Sequence, residues 1–493
     1  MVVLSRPDLD VKESIKFELA EYLRALFTSD GNLRHCVAKS KLMNILEDLL
    51  PQQQPSPQQP SPVIEHGRQV IIIDAMAVVQ SMGKPTWVKT GRDLANHFVE
   101  IIARRSTGVS EVHVVFDCYD VPNALKERTR LVRQGAERPI VYQISADAVI
   151  AKVTMKQLLC CKENKQALAL YFASHVIECK KDMQTAFIVT SERDCLSSNS
   201  LPVEQLRSEQ EEADTRILLH AVDCTRRGAS SIIIQSPDTD VLVLVLWIYR
   251  QLCPDILVMV GTGGKRRSVA VGPLYEALGE DLVKALPGFH AFSGCDQTGT
   301  ICGKSKVSCW NTLTKAKQPV LNAFSTLGSS TVISEYTQKM LESYVCQLYI
   351  PSTELTSIQE VRWLLFSKKQ RTDEQLPPTQ AALCQMVRRA NYVSLAWKSC
   401  DSQYPSLPDP TLHGWKHDGD RLQAVPTTLP PAPKAVLQLI KCGCKGKCIT
   451  MSCSCRKHSL KCTDMCTSCH LNCENRNTDT TENDDSDDED LYV

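Results

Sequence analysis

The chain has 493 residues, 43% hydrophobic and 23% charged, enough for one large domain plus a small module. Its 56 basic and 56 acidic residues cancel, which excludes a global field drawing it to nucleic acid; any such attraction must be local. The N-terminus MVVLSRPDLDVKES turns charged at once, and the most apolar run, VLVLVLWIY at 241–249, is too short to cross a bilayer, so neither a signal peptide nor a membrane partner is expected.

Residues 1–50 read as an N-terminal helical segment with two amphipathic stretches, VKESIKFELAEYLRALF and KSKLMNILEDLL. PQQQPSPQQPSP, residues 51–62, is a Pro/Gln linker with no means of building a core. From 63 to 330, β-branched runs alternate with helical patterns. Strands are expected at 70–73, 112–116, 186–190, 231–234 and 241–246, with the helix LANHFVEIIARR between the first two. That alternation predicts an α/β fold on a mainly parallel sheet. Residues 331–400 read as a helical extension (SEYTQKMLESYVCQLY, SIQEVRWLLFSKK, PTQAALCQMVRRANYVSLAWKSC). Prolines recur over 401–434, as in an extended linker. A cysteine-dense module follows at 435–475, and the tail TDTTENDDSDDEDLYV, covering 476–493, is expected to be disordered.

Seven acidic residues stand out, most of them just after a short apolar run: Asp74, Asp117, Glu212, Asp214, Asp238, Asp240 and Asp296. Asp74 ends VIIID, Asp117 ends VHVVFD, and Asp238 and Asp240 close SIIIQSPDTD. A carboxylate just past a buried parallel strand lands at the carboxyl edge of the sheet, where open α/β folds place their sites. Taken singly, an aspartate after a strand is most simply a helix cap or a turn residue. Several converging there would repel one another, and hard cations with a preference for oxygen, two ions of Mg²⁺ or Mn²⁺, would relieve the repulsion. Glu212 and Asp214 are two apart and share no helix face, so they meet only where a helix starts.

The order of these motifs resembles the flap-endonuclease branch of the PIN-like nucleases, over roughly residues 68–310. IIIDAM resembles that family's first strand and aspartate. VVFDCYDVPNALKERTRLVR resembles its second strand leading into a basic helix, and EEADTRILLHA its acidic helix. SPDTDVLVL resembles its D-x-D strand end, and FSGCDQTGTICGKSK the segment that opens its DNA clamp. The resemblance implies a PIN-like three-layer fold, a two-metal phosphodiesterase site holding the seven carboxylates, and Lys126 and Arg133 facing the scissile phosphate. Those two are seven apart, so they share a helix face. The chain departs from the family in its long stretch before the first strand and in keeping only Gly299 and Gly303 of a glycine-rich clamp.

Nine of the 23 cysteines crowd into KCGCKGKCITMSCSCRKHSLKCTDMCTSCHLNCEN: Cys442, Cys444, Cys448, Cys453, Cys455, Cys462, Cys466, Cys469 and Cys473. In a reducing compartment this density reads as metal ligation rather than disulfides. The segment is too short for a hydrophobic core, so metal must supply its folding energy; nine thiolates suit about three tetrahedral Zn²⁺ ions if some sulfurs bridge. The pattern resembles the CXC, or tesmin-like, cysteine-rich domain over 441–475, which implies DNA binding. Lys445, Lys447, Arg456 and Lys457 interleave the cysteines and suit phosphate contact. The plain alternative is a zinc-stapled protein-interaction knob.

The resulting expectation is an intracellular, nuclear protein whose partner is DNA, with RNA as the alternative and no protein partner specified. It would be a metal-dependent structure-specific nuclease. The rival is an inactive PIN-like scaffold that binds DNA or chromatin, and a third reading is a mobile-element-derived product.

Overall fold

In the computed structural model, the residues described are all but 1–10, 21, 37, 51–66, 120–138, 182, 262–265, 369–372, 420, 434–440, 458–460, 463–465, 467, 470–472 and 476–493. The Pro/Gln linker, the basic stretch carrying Lys126 and Arg133, and the acidic tail therefore lie outside the described residues. The chain divides into two compact units: Leu33–Thr356 with Cys384–Val425, and Met1–Asn32 with Ser357–Leu383 and Pro426–Val493.

The larger unit is built on a seven-stranded sheet: β1 (Gln69–Asp74), β2 (Glu111–Val115), β3 (Ala186–Ser191), β4 (Asp194–Ser197), β5 (Ser231–Gln235), β6 (Asp255–Val260) and β7 (Arg267–Ala270). Their order is β4-β3-β2-β1-β5-β6-β7. The five central strands run parallel, and the edge pairs β3–β4 and β6–β7 are antiparallel. This is the expected α/β architecture on a mainly parallel sheet. Four of the five expected strands are present. All five residues of β2 and the last five of β1 are buried, as in parallel strands covered on both faces.

Six helices position the candidate site: α1 (Ser40–Glu47), α2 (Ala75–Ser81), α3 (Gly91–Arg105), α4 (Lys162–Lys180), α5 (Ala213–Arg226) and α6 (Thr239–Ile248). Ile71, Ile73, Val112 and Val114 share a core cluster with Phe98 of α3 and Phe172 of α4. His113, one residue out of phase, turns to His220 of α5 on the other face. The period of two along β2 thus assigns α3 and α4 to one face and α5 to the opposite one.

The fifth expected strand, 241–246, is instead the body of α6. Asp238 accepts a hydrogen bond from the Asp240 amide and caps this helix, and Val241 through Leu246 are wholly buried. A short run that is apolar all round suits a buried helix as well as a buried strand, and the capping aspartate decides between them.

The helix Glu335–Tyr349 forms as expected, as does Gln380–Lys398, whose residues from Cys384 onward belong to this unit. The proline-rich stretch carries regular structure: a 3-10 turn, Pro410–His413, precedes the paired strands β8 (Trp415–Asp418) and β9 (Arg421–Ala424), with Trp415 and Leu422 buried.

In the smaller unit, the helix Ile358–Ser367 forms as read from sequence. Among the described residues, the stretch VKESIKFELAEYLRALF is helical only over Val11–Ser14. Arg362 donates to the carbonyls of Ile15 and Phe17, and Leu19 sits at φ +55°, so the turn cannot propagate.

Candidate metal centre and cysteine cluster

β1 is flanked by β2 on one side and β5 on the other, with Asp74 paired to Val115 and Ile73 to Gln235. Neighbouring parallel strands in register end at one edge, so the residues just beyond them become neighbours. The chain winds outward from β1 through β2 to β3, then returns to β5 on the other side. The edge between β1 and β5 is therefore a topological switch point. Asp74 is the last residue of β1, Asp117 lies two past β2, and Asp238 lies three past β5.

Hydrogen bonds trace how these groups meet. Asp74 caps α2 by accepting from the Ala77 amide at 2.9 Å, and its other oxygen accepts from Ser236 Oγ at 3.1 Å. Ser236 in turn receives the Asp238 amide. Lys39 Nζ lies 2.8 Å from Asp238 Oδ1 and 3.3 Å from both Asp240 Oδ2 and Asp296 Oδ2. Gln297, beside Asp296, donates to Glu212 Oε1. Glu212 is the N-cap residue of α5, and the next amide, that of Ala213, donates to Asp117 Oδ1 at 2.8 Å. Asp214 is buried in the first turn of the same helix. Six of the carboxylates are therefore linked through hydrogen bonds, ion pairs and chain neighbours, and Asp214 follows Glu212 by two positions. Asp74 and Asp238 are helix caps as well as members of it, so the plain reading of those two aspartates also holds.

The electrostatics reflect the crowding. Burial, with the nearby charges of Asp117 and Asp238, pushes the Asp74 carboxyl up to about 6 against its hydrogen bonds. Asp240 is fully buried, and His290 Nε2 reaches its Oδ1 at 2.8 Å. Lys306 Nζ lies 2.8 Å from His290 Nδ1 and donates to Ser293 Oγ at 2.8 Å. Burial and the Lys306 charge hold His290 at about 4, hence neutral. The donor set fits a hard divalent ion: ionised carboxylates are acceptor-only oxygens gathered from five chain segments.

A cavity of about 170 Å³ opens beside Asp74, lined also by Gln235, Ser236, Arg105 and Arg266. Arg104 joins Arg105 and Arg266 along the adjoining surface. Burial, then the charges of Arg266 and Arg104, hold the Arg105 pKa down. A second cavity, about 460 Å³, borders Glu212 and Gln297 and is walled by Tyr392, Trp397 and His417.

Sequence reasoning missed Lys39, Ser236, His290, Gln297, Lys306 and the arginines. Gln297 and Ser236 adjoin expected ligands and were within reach. Lys39 stands 199 positions from Asp238 with no local signature.

A separate polar cluster sits at the far end of β2. Glu111 is paired with Arg68 and Arg227, and accepts from His113 Nε2 at 2.6 Å. His113 Nδ1 meets His220 Nδ1 at 2.6 Å, and Cys224 Sγ lies 3.2 Å from His113 Nε2.

In the smaller unit, eight of the nine C-terminal cysteines are buried and Cys444 is half-buried. Cys442 Sγ lies 3.8 Å from the sulfurs of Cys448, Cys462 and Cys469; Cys453 and Cys462 are 3.9 Å apart, and Cys455 and Cys466 3.5 Å. Disulfide sulfurs would sit about 2 Å apart. The edge of a tetrahedron of sulfurs around zinc, with bonds of about 2.3 Å, is about 3.8 Å. Four-sulfur groups such as Cys442, Cys462, Cys466 and Cys469, and Cys448, Cys462, Cys469 and Cys473, share members, as bridged ions require. Asn475 Nδ2 lies 3.5 Å from Cys462 Sγ. Lys445, Lys447, Arg456 and Lys457 are all exposed around this cluster.

No family model matches the sequence, and none of the curated proteins matches it. Among solved structures, the chain is similar to the flap endonuclease of bacteriophage T5 in a pseudo-enzyme–product complex with DNA and metal ions. That match has 13% identity over 68% of this chain and 100% of that one, with a TM-score of 0.33. The T5 5′-exonuclease with bound zinc gives 14% identity over 68% of this chain and 100% of that one, at a TM-score of 0.30. At these scores the function has to be argued from the site itself.

Proposed function

We propose that this protein is a divalent-metal-dependent phosphodiesterase acting on DNA. The observation that carries the reading is the convergence of Asp238, Asp240 and Asp296 on one cation, joined through Ser236 and Gln297 to Asp74 and Glu212, at the switch point of a parallel sheet. Bound Mg²⁺ or Mn²⁺ would activate a water and offset charge on the phosphate. Asp74, Asp117, Glu212 and Asp214 would hold it as acceptor-only ligands. His290, locked by Lys306, fixes the orientation of Asp240. Arg104, Arg105 and Arg266 gather positive charge beside Asp74, where backbone phosphates would approach. The 460 Å³ cavity walled by Tyr392 and Trp397 has room for a nucleobase.

The cysteine module supports the DNA reading. Zinc-thiolate geometry with four exposed basic residues suits a salt-sensitive phosphate clamp tethering the core to DNA, as in a nuclear protein of the CXC kind. The scaffold reading draws on Lys39, whose ammonium already neutralises part of the acidic ring.

The test uses the zinc-loaded full chain with Mg²⁺ or Mn²⁺ on 5′-flap, nicked and single-stranded DNA and the matching RNAs. Cleavage of at least one DNA substrate is expected. Asp238→Asn, which keeps a capping oxygen and removes the charge, should abolish it without unfolding the protein. Absence of cleavage across all substrates and both metals would leave the scaffold reading.

A further inference from the structure

Lys39 supplies three ammonium N–H donors, and three carboxylates receive them. Its Nζ lies 2.8 Å from Asp238 Oδ1, 3.3 Å from Asp240 Oδ2 and 3.3 Å from Asp296 Oδ2. Its side chain keeps 19% of its surface exposed, against 0% for Asp240.

The segment bearing Lys39 is packed into the fold rather than laid over it. The Thr300 amide donates to the Arg34 carbonyl at 2.9 Å. Gly299 sits at φ +58°, and a Cβ there would meet that carbonyl at 2.9 Å, so glycine alone permits the approach. At Gly294, φ +113°, an added Cβ would meet Cys36 Cβ at 3.1 Å. These are the two glycines bracketing Asp296. Next after Lys39, α1 buries Leu42, Met43 and Leu46, and Glu47 pairs with Arg267 of β7. The ammonium is thus held from both sides along the chain.

A hard divalent ion needs oxygens at about 2.0–2.2 Å. It cannot share the Asp238/Asp240/Asp296 position with an ammonium already bonded to those same groups. The other carboxylates of the neighbourhood are Asp74, Asp117, Glu212 and Asp214. We infer that Lys39 is a built-in cation of the acidic site, so that the site takes one divalent ion, on the Asp74/Asp117/Glu212/Asp214 side, beside a permanent ammonium. This replaces the two ions expected from sequence and rests on the metal-dependent reading above. In that arrangement Lys39 positions Asp238, Asp240 and Asp296. It also offers a fixed positive charge to a phosphate drawn into the cleft, needing no second metal from solution.

The experiment counts Mn²⁺ ions bound to the zinc-loaded full chain, by electron paramagnetic resonance of free Mn²⁺ and by calorimetry. Only ions lost in an Asp74→Asn/Asp238→Asn double variant are counted, which removes the acidic tail from the tally. One ion is expected for the parent and for Lys39→Arg, which keeps the charge. Two are expected for Lys39→Met, which opens the second position. Two ions in the parent, or one in a folded Lys39→Met, would overturn the inference and leave the metal site standing. No ion in either would overturn both. The parent count decides even if Lys39→Met fails to fold.

Discussion

His290 Nε2 lies 2.8 Å from Asp240 Oδ1, and the partner on its other nitrogen, Lys306, determines what that contact is. An ammonium can only donate, so Nδ1 of His290 accepts and the ring proton resides on Nε2, pointing at the carboxylate. His290 also stacks on Trp397 at 5.5 Å, which fixes the ring plane. A fully buried carboxylate is thereby aimed by a neutral imidazole.

His290→Phe keeps the stacking but removes both hydrogen bonds, leaving Lys306 buried without its imidazole acceptor. We expect a loss of about 2–4 kcal/mol in chemical denaturation, the range for stranding buried polar and charged partners. A variant as stable as the parent would show that the Lys306–His290–Asp240 chain is not structurally required.

Glu111 gives a pH-dependent prediction remote from the acidic site. Burial pushes its carboxyl up, but His113, Arg227 and Arg68 outweigh that and hold it well below the usual range. A depressed folded-state pKa means the stabilisation is complete above the ordinary carboxyl value of 4.5 and lost as pH falls toward the folded one. Glu111→Gln should cost about 3 kcal/mol near neutrality, the low end for breaking a buried pair. The gap between parent and variant should close below pH 4.5. A pH-independent difference in unfolding free energy would contradict this account.

How much of this was legible in sequence follows from the range of the interactions. Asp74, Asp117 and Asp238 were readable because each follows a β-branched run, and parallel strands in register must end together. The helix α6 was not, because VLVLVL is buried on every side and carries no amphipathic period. The short Val11–Ser14 helix was over-read because the sequence hides that Arg362 takes the next carbonyls. Lys39 and His290 escaped for the same reason: a side chain's partner across 199 or 50 positions leaves no trace in local spacing. The cysteines were legible because their ligand chemistry is carried by the residues themselves.

The arginines beside Asp74 predict a salt dependence. Arg266 is exposed, and Arg104 and Arg105 crowd it, an arrangement that an approaching phosphate would relieve. Arg266→Ala should weaken DNA binding and reduce the slope of log affinity against log salt by about 0.9 for each phosphate it no longer neutralises. Fluorescence anisotropy across a salt series measures both. An unchanged slope would place the phosphates elsewhere.

The cysteine cluster yields the sharpest contrast between two substitutions in one module. Cys462 belongs to several four-sulfur groups, lies 3.8–3.9 Å from Cys442 and Cys453, and has Asn475 against its sulfur. With zinc in these groups a thiolate in that position would bridge, so Cys462→Ser should release more than one metal ion and unfold the module. Lys457 is exposed at the end of the one-turn helix Ser454–Lys457. Lys457→Ala should therefore keep the full complement of about three zinc ions while lowering DNA affinity in low salt. Native mass spectrometry of the full chain counts the zinc, and cobalt substitution reports whether the sites are tetrahedral with thiolate ligands. A loss of one ion or none in Cys462→Ser would rule out bridging at that sulfur. Parent-like DNA affinity in Lys457→Ala, alone and with Lys445 and Lys447 also replaced, would make the module a zinc-stapled protein-binding knob.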